Sequence, residues 1–169
     1  MRTVAAVIAL VACVQAGLWA LGRDRLNAPD IDGQLASVSY APFASSTNPD
    51  EGGRATAEQI RSDLKLIAPL TRSIRLYSST GGVELVPGIA SEFGLHVTVG
   101  AWIDKHEERN EREINAAVDL SKRHSNVKSV IVGNETIYRG DLTTAELIQK
   151  IQRVKRMTNV PVSTGEIWN

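Results

Sequence analysis

Apolar positions after residue 36 alternate between a period of two, typical of strands, and a period near 3.6, typical of helices. Short β-branched runs predict strands at residues 36–43, 73–79, 96–104, 129–135 and 160–169. Apolar residues three or four positions apart predict helices at residues 55–68, 81–94, 110–124 and 144–157. No hairpin signal joins the strands, so the pattern predicts βαβ units and a parallel sheet.

Each predicted helix has an apolar stripe that can pack against the sheet. The four stripes consist of Ile60, Leu64 and Ile67; Leu85, Ile89 and Phe93; Ile114, Ala117 and Val118; and Leu147, Ile151 and Val154. Thr56 is suited to cap the first of these helices. Pro87 falls in the first turn of the second, so we expect its boundary to lie there.

A separate apolar segment precedes this pattern. Residues 3–21 carry no charge. Their number is about the minimum for crossing a bilayer, so the segment predicts a signal anchor. Two cleaved alternatives remain open: a signal peptide cut at "VQA", ending at Ala16, and a lipoprotein signal with Cys13 in "LVAC". All three place the remaining chain outside the cytoplasm. We therefore predict a signal peptide or anchor at 1–22 and a polar linker at 23–36.

Composition excludes several classes of partner and site. The chain has 19 basic and 19 acidic residues, so its net charge gives no reason to expect nucleic acid. One cysteine among 169 residues excludes an internal disulfide, and the three histidines are scattered. We predict no metal site and no cofactor.

Chemically capable side chains follow every predicted strand. They are Tyr40 and Phe43; Arg75 and Tyr77; Trp102 and Asp104; Asn134 and Glu135; and Glu166 and Trp168. In parallel α/β proteins, ligands bind beyond the carboxyl ends of the strands. Aromatic faces stack on sugar rings, while carboxylate, amide and guanidinium groups bind sugar hydroxyls. This set predicts a carbohydrate cleft.

Each of these residues also has a plainer interpretation. Glu135 could cap the helix that follows it or pair with Arg139. Arg75 and Tyr77 could be ordinary loop residues, and Trp102 and Trp168 could simply plug the end of a barrel. We predict that the charged run "DKHEERNERE" at 104–113 is a solvated loop and helix start without chemistry.

Four motifs, in this order and spacing, resemble the family 17 glycoside hydrolases, especially their bacterial membrane-linked members. They are "SVSYAPF" at 37–43, "SIRLY" at 73–77, "HVTVGAWI" at 96–103 and "SVIVGNET" at 129–136. The resemblance implies a (β/α)8 TIM barrel that hydrolyses β-1,3-glucan with retention, a glycosidase exported or anchored in the membrane. Residues 37–169 would form about the first five βα units of that barrel.

The resemblance also implies roles for individual residues. Glu135 corresponds to the general acid/base, and Asn134 to the residue that holds the sugar 2-hydroxyl or the nucleophile in register. The predicted substrate-binding residues are Tyr40, Arg75, Tyr77, Trp102, Asn134, Glu166 and Trp168.

No nucleophile is predicted in this chain. The family's nucleophile follows the seventh strand, whereas Glu166 follows the fifth and is predicted as a substrate contact. A barrel typically takes about 250 residues, so we expect the chain to be a truncated portion, poorly soluble and inactive alone. Two alternative functions remain open: a transglycosylase in β-glucan synthesis and a non-catalytic glucan-binding module.

Overall fold

The computed structural model describes residues 2–22, 33–43 and 52–167. It divides into two units, residues 1–32 and 33–169. The predicted linker at 23–36 lies mostly outside the described residues. The predicted site residue Trp168 also lies outside them. Leu35 already belongs to the second unit, because its N–H donates to Leu70 O at 2.8 Å and its carbonyl accepts from Arg72 N at 3.1 Å.

The first unit contains helix α1, Arg2–Leu21. This helix of 20 residues is apolar enough to cross a membrane, and none of its residues is buried in protein.

The second unit alternates strands and helices. The strands are β1 Val38–Ser39, β2 Ser73–Arg75, β3 His96–Ala101, β4 Val127–Asn134 and β5 Val162–Gly165. The helices are α2 Ala57–Ile67, α3 Val86–Glu92, α4 Glu107–Arg123 and α5 Thr144–Met157. The five strands form one sheet in the order β1-β2-β3-β4-β5, and every neighbouring pair is parallel. The predicted α/β class and parallel sheet are confirmed.

The helix predictions hold with small shifts at the ends. The Thr56 side chain caps α2 by accepting a hydrogen bond from Gln59 N, as expected. The predicted second helix is interrupted by a 3₁₀ turn at Val83–Leu85, and α3 begins only beside Pro87. Leu85 is consequently 43% exposed, so its predicted place on the buried stripe is wrong.

The core lies between the helices and one face of the sheet. Ile74, Val97, Val99, Val130 and Val132 are fully buried on the strands. They meet buried helical residues, among them Ile60, Leu64, Ile89, Ile114 and Leu147.

The opposite face of the sheet is polar. Ser39, Arg75, Thr98 and Ser129 are paired in register across β1 to β4, and Thr98 Oγ1 lies 2.8 Å from Ser129 Oγ. Ile131 on this side of β4 is only partly buried. Side chains alternate along a strand. The apolar run of β4 is therefore fully buried only on the face that carries Val130 and Val132.

Candidate active site

The carboxyl ends of the five parallel strands lie along one edge of the sheet. That edge carries the predicted residues Tyr40, Arg75, Tyr77, Trp102, Asn134, Glu135 and Glu166. Their contacts differ, and these differences separate the groups that hold the edge together from those free to meet a ligand.

Glu135 adopts an unusual backbone conformation directly after β4. Its φ of 53° is the only positive value at a non-glycine residue in the described part of the chain. Such left-handed backbone costs of order 1–3 kcal/mol and persists only where the surroundings hold it. Gly133, two residues earlier, has a φ of 79°, and an added Cβ there would lie 2.5 Å from Thr136 Oγ1. The turn after β4 is therefore tightly constrained.

The Glu135 side chain itself has no hydrogen-bond or ion-pair partner among the described residues, although it is half-buried. The N–H groups of Thr136 and Ile137 donate to Glu166 at 2.9 and 3.2 Å. Arg139 pairs with Asp141 at 2.8 Å. The two plain interpretations of Glu135, as a cap for the helix that follows or as the partner of Arg139, are therefore wrong, since Thr143 caps that helix.

Glu166 is held by the same turn. Its Oε1 accepts from Thr136 N and its Oε2 from Ile137 N, so both oxygens have main-chain partners. One residue earlier, Gly165 O accepts from Glu135 N at 2.7 Å. The end of β5 thus binds the turn after β4 at three consecutive N–H groups. A substrate contact by Glu166 stays a prediction.

Arg75 reaches from β2 across the polar face to β4. Its Nη2 donates to Asn134 Oδ1 at 2.8 Å, and its guanidinium lies 5.0 Å from the centre of the Tyr77 ring. Gly165 leaves room for this contact, because an added Cβ would lie 2.6 Å from Arg75 Nη2. The Arg75 bond takes the Asn134 oxygen and leaves the Asn134 Nδ2 group available to donate to a ligand.

Trp102 lies under a second arginine. The Arg139 guanidinium is 4.4 Å from the centre of the indole ring. Its nitrogens also donate to Ile103 O at 2.7 Å, to Asn134 O and to Asp141. Because several acceptors fix the guanidinium, it holds the indole in place at the strand edge.

Tyr40 is almost completely buried, which leaves little of its side chain for contact with a ligand. It is 7% exposed, and its hydroxyl donates to Asp63 of α2 at 2.8 Å. Burial, followed by the hydrogen bond to Asp63, raises the pKa of the Tyr40 hydroxyl far above its ordinary value. Its role in substrate binding stays a prediction, as does that of Trp168.

Residues 37–169 match the BtgE/BtgC glycoside hydrolase domain. The chain belongs to this glycoside hydrolase family. The general resemblance to glycoside hydrolases is thereby confirmed for the whole second unit from Ser37 onward.

Relatives of this BtgE/BtgC domain include several fungal proteins. The probable glucan endo-1,3-beta-glucosidase btgC of Aspergillus terreus is 26% identical over 88% of this chain and 27% of its own length. The glucan 1,3-beta-glucosidase of Arthroderma benhamiae is 31% identical over 57% of this chain and 32% of its own length. The glucan 1,3-beta-glucosidase BGL2 of Candida albicans is 26% identical over 80% and 49%, respectively. The chain thus spans less than half of the length of each of these relatives.

Within the BtgE/BtgC domain, one carboxylate of structural importance escaped the sequence analysis. Glu113 of α4 is 2% exposed and accepts from Ser79 N at 2.8 Å, from Ser78 Oγ at 2.7 Å and from Trp102 N at 3.2 Å. Thr80 Oγ1 is a further donor to it. This carboxylate fastens the loop after β2 and the end of β3.

The predicted solvation of the run 104–113 is therefore wrong in part. Asp104, Asn110 and Glu113 are all buried, because main-chain and side-chain donors satisfy their oxygens. A signal was present, since helical spacing places Asn110 and Glu113 on the same stripe as Ile114 and Ala117. Among the residues that the structure describes, no cluster of His, Cys, Asp and Glu could hold a metal ion.

Proposed function

We propose that this chain carries part of a retaining glycosidase that hydrolyses β-1,3-glucan, with Glu135 as its general acid/base. The observation that carries the proposal is the Glu135 carboxylate, half-buried at the end of β4 and without a partner among the described residues. Residues 37–169 belong to a glycoside hydrolase family, and the relatives above are named as 1,3-β-glucosidases.

Glu135 would act twice in the reaction. It first protonates the oxygen of the departing sugar while a second carboxylate attacks the anomeric carbon. It then deprotonates the water that attacks the same carbon and displaces the enzyme carboxylate, which frees the sugar. The attacking carboxylate must lie about 5–5.5 Å from Glu135. We assign no nucleophile among residues 1–169, and Glu166 is already engaged through both oxygens.

The substrate would bind along the same edge of the sheet. Trp102 and Tyr77 offer ring faces for the apolar sides of glucose units, and Trp168 is proposed as a third. The Asn134 Nδ2 group would donate to a sugar hydroxyl, supported by the Arg75 bond that takes its oxygen.

A (β/α)8 barrel is the architecture that we propose for the complete domain. Five consecutive parallel strands in sequential order, the first four each followed by a helix on one face, support it. The polar face of the sheet, with Ser39, Thr98 and Ser129, would line the barrel interior.

The protein is further proposed to be a membrane-linked or exported member of its family, similar to the bacterial ones, with residues 1–22 as signal or anchor and 23–36 as linker. The length and apolar character of α1 support this. The catalytic domain would then face β-glucan outside the cytoplasm.

The test uses the protein at its full encoded length and a soluble β-1,3-glucan such as laminarin. Glu135→Gln keeps the size of the side chain but removes its acid/base function, so we expect kcat to fall about 10²–10⁴-fold. Reducing-sugar release measures hydrolysis, and chromatography of the products reveals any transfer to another sugar.

Glu108→Gln is the matched control, because Glu108 lies on exposed α4 surface and should leave kcat unchanged. Undiminished hydrolysis by Glu135→Gln would refute the assignment of the acid/base. Longer glucan chains as the main product would identify a transglycosylase.

A further inference from the structure

The backbone of the turn after β4 needs an external support. Glu135 has a φ of 53°, a conformation that a glutamate does not adopt without constraint. A general acid must also be aimed at the leaving oxygen, since proton transfer depends on hydrogen-bond reach. The groups that hold this turn therefore bear on catalysis.

The carboxylate of Glu166 provides part of that support. Its two oxygens accept from Thr136 N and Ile137 N, the two main-chain donors that follow Glu135. Both bonds go to a carboxylate, and hydrogen bonds to an ionised acceptor are stronger than bonds between neutral groups. They also fix the position of β5 against β4, because Gly165 O accepts from Glu135 N in the same place.

We infer that Glu166 is a positioning residue that holds the Glu135 carboxylate in its catalytic orientation through the main chain of Thr136 and Ile137. This inference rests on the proposed function of Glu135. It gives an acidic residue at the end of β5 a task that involves neither nucleophilic attack nor contact with substrate.

Glu166→Gln tests the inference, because a glutamine has one acceptor oxygen and would turn an N–H₂ group toward one of the two donors. A displacement of about 1 Å in a catalytic group can cost about 10²-fold in rate. We therefore expect kcat on β-1,3-glucan to fall about 10²-fold, with KM little changed, in the protein at its full encoded length.

A second substrate separates positioning from other roles. A dinitrophenyl β-glycoside of a 1,3-linked disaccharide loses dinitrophenolate, an anion stable enough to leave without protonation, so its cleavage needs no general acid. Added azide then bonds to the anomeric carbon as the enzyme carboxylate leaves, and this step needs no general base. With this substrate and azide, Glu135→Gln and Glu166→Gln should both approach wild-type rates.

Three results would count against the inference. Full activity of Glu166→Gln on glucan, alongside an inactive Glu135→Gln, would overturn it and leave the proposed function intact. Loss of activity on the activated substrate with azide, in a folded protein, would instead indicate that Glu166 is the nucleophile. If Glu135→Gln itself stays active on glucan, the proposed function fails first.

Two further variants guard against a trivial loss of structure. Glu146→Gln removes a carboxylate that accepts from Thr143 at the start of α5, and it should cost stability without dependence on the leaving group. Glu166→Asp keeps the charge but shortens the side chain, so it should show a smaller loss of kcat that the activated substrate with azide again removes. Equal losses of Glu166→Asp on both substrates would contradict the inference even where Glu166→Gln does not fold.

Discussion

At the residue scale, the partners of each carboxylate determine what it can do, and Asp104 illustrates this at the end of β3. It accepts from His106 N at 2.7 Å and from Arg109 Nη1 at 3.0 Å, and it is 8% exposed. Burial alone would raise the pKa of Asp104, but the His106 hydrogen bond and the Arg109 charge hold it below the ordinary value of 3.8. The folded protein therefore favours the charged form. The resulting stability is present above the unfolded pKa and is lost as the pH falls through the folded pKa.

We accordingly predict that the effect of Asp104→Asn depends on pH. At pH 7 the free energy of unfolding of the variant should be about 1 kcal/mol lower than that of the wild type, because charged acceptors are replaced by one neutral oxygen. The difference should shrink as the pH falls below the folded pKa, where the wild-type carboxyl is also neutral. Urea unfolding at several pH values measures it.

Asp119→Asn is the control for that experiment, since Asp119 forms an exposed pair with Arg123 and should change stability little. An equal loss for Asp104→Asn at every pH would show that its charge is irrelevant.

At the element scale, Glu113 joins α4 to the loop after β2 and to the end of β3. Its carboxylate satisfies Ser79 N and Trp102 N, and the Ser78 and Thr80 hydroxyls donate to it as well. Removing this acceptor leaves buried donors unpaired, at a cost of about 1–3 kcal/mol for each group that water cannot reach. The position of Trp102 depends on this connection.

We predict that Glu113→Ala lowers the free energy of unfolding by about 2–4 kcal/mol, because several donors lose one acceptor together. Thermal or urea unfolding at neutral pH measures the loss. Glu108→Ala, on the exposed surface of the same helix, should change stability by less than about 0.5 kcal/mol. Similar small changes in both variants would contradict a structural role for Glu113.

The same helix shows what the sequence can and cannot predict. Local periodicity is enough for the stripe of Ile114, Ala117 and Val118, all of which are buried as expected. It does not reveal that Glu113 will find donors in a loop 34 residues away. A charged run looks solvated from composition, because burial becomes favourable only through partners that folding brings together.

The candidate site divides in the same way. The motif "VGNE" predicts where a carboxylate stands, because strand ends in parallel sheets follow from local pattern. The hydrogen bond from Thr136 N to the Glu166 carboxylate joins residues 30 positions apart, and local pattern does not predict it. The sequence suggests Arg139 only as a partner for Glu135, whereas its guanidinium lies over Trp102 in the structure.

At the scale of the whole molecule, the family match begins at Ser37, and α1 forms a unit separate from it. A helix of 20 residues is about 30 Å long, which equals the hydrocarbon thickness of a typical bilayer. Its apolar run continues beyond Cys13 and Ala16, the residues at which the two cleaved alternatives would cut. Length and continuity therefore favour an uncleaved anchor.

We predict that the native protein keeps α1 and remains in the membrane fraction after carbonate extraction. Mass spectrometry of its N-terminal peptide distinguishes the three alternatives: residues 2–21 intact for an anchor, a new end after Ala16 for a signal peptide, or an acylated Cys13 for a lipoprotein.

Leu10→Arg places a charge at the middle of the helix, where insertion costs about 2.5–3.5 kcal/mol, and should reduce the membrane fraction. Leu10→Ile is its matched control and should behave as wild type. A soluble exported protein beginning at Gly17 would refute the anchor, and loss of membrane association in Cys13→Ser would replace it with lipid attachment.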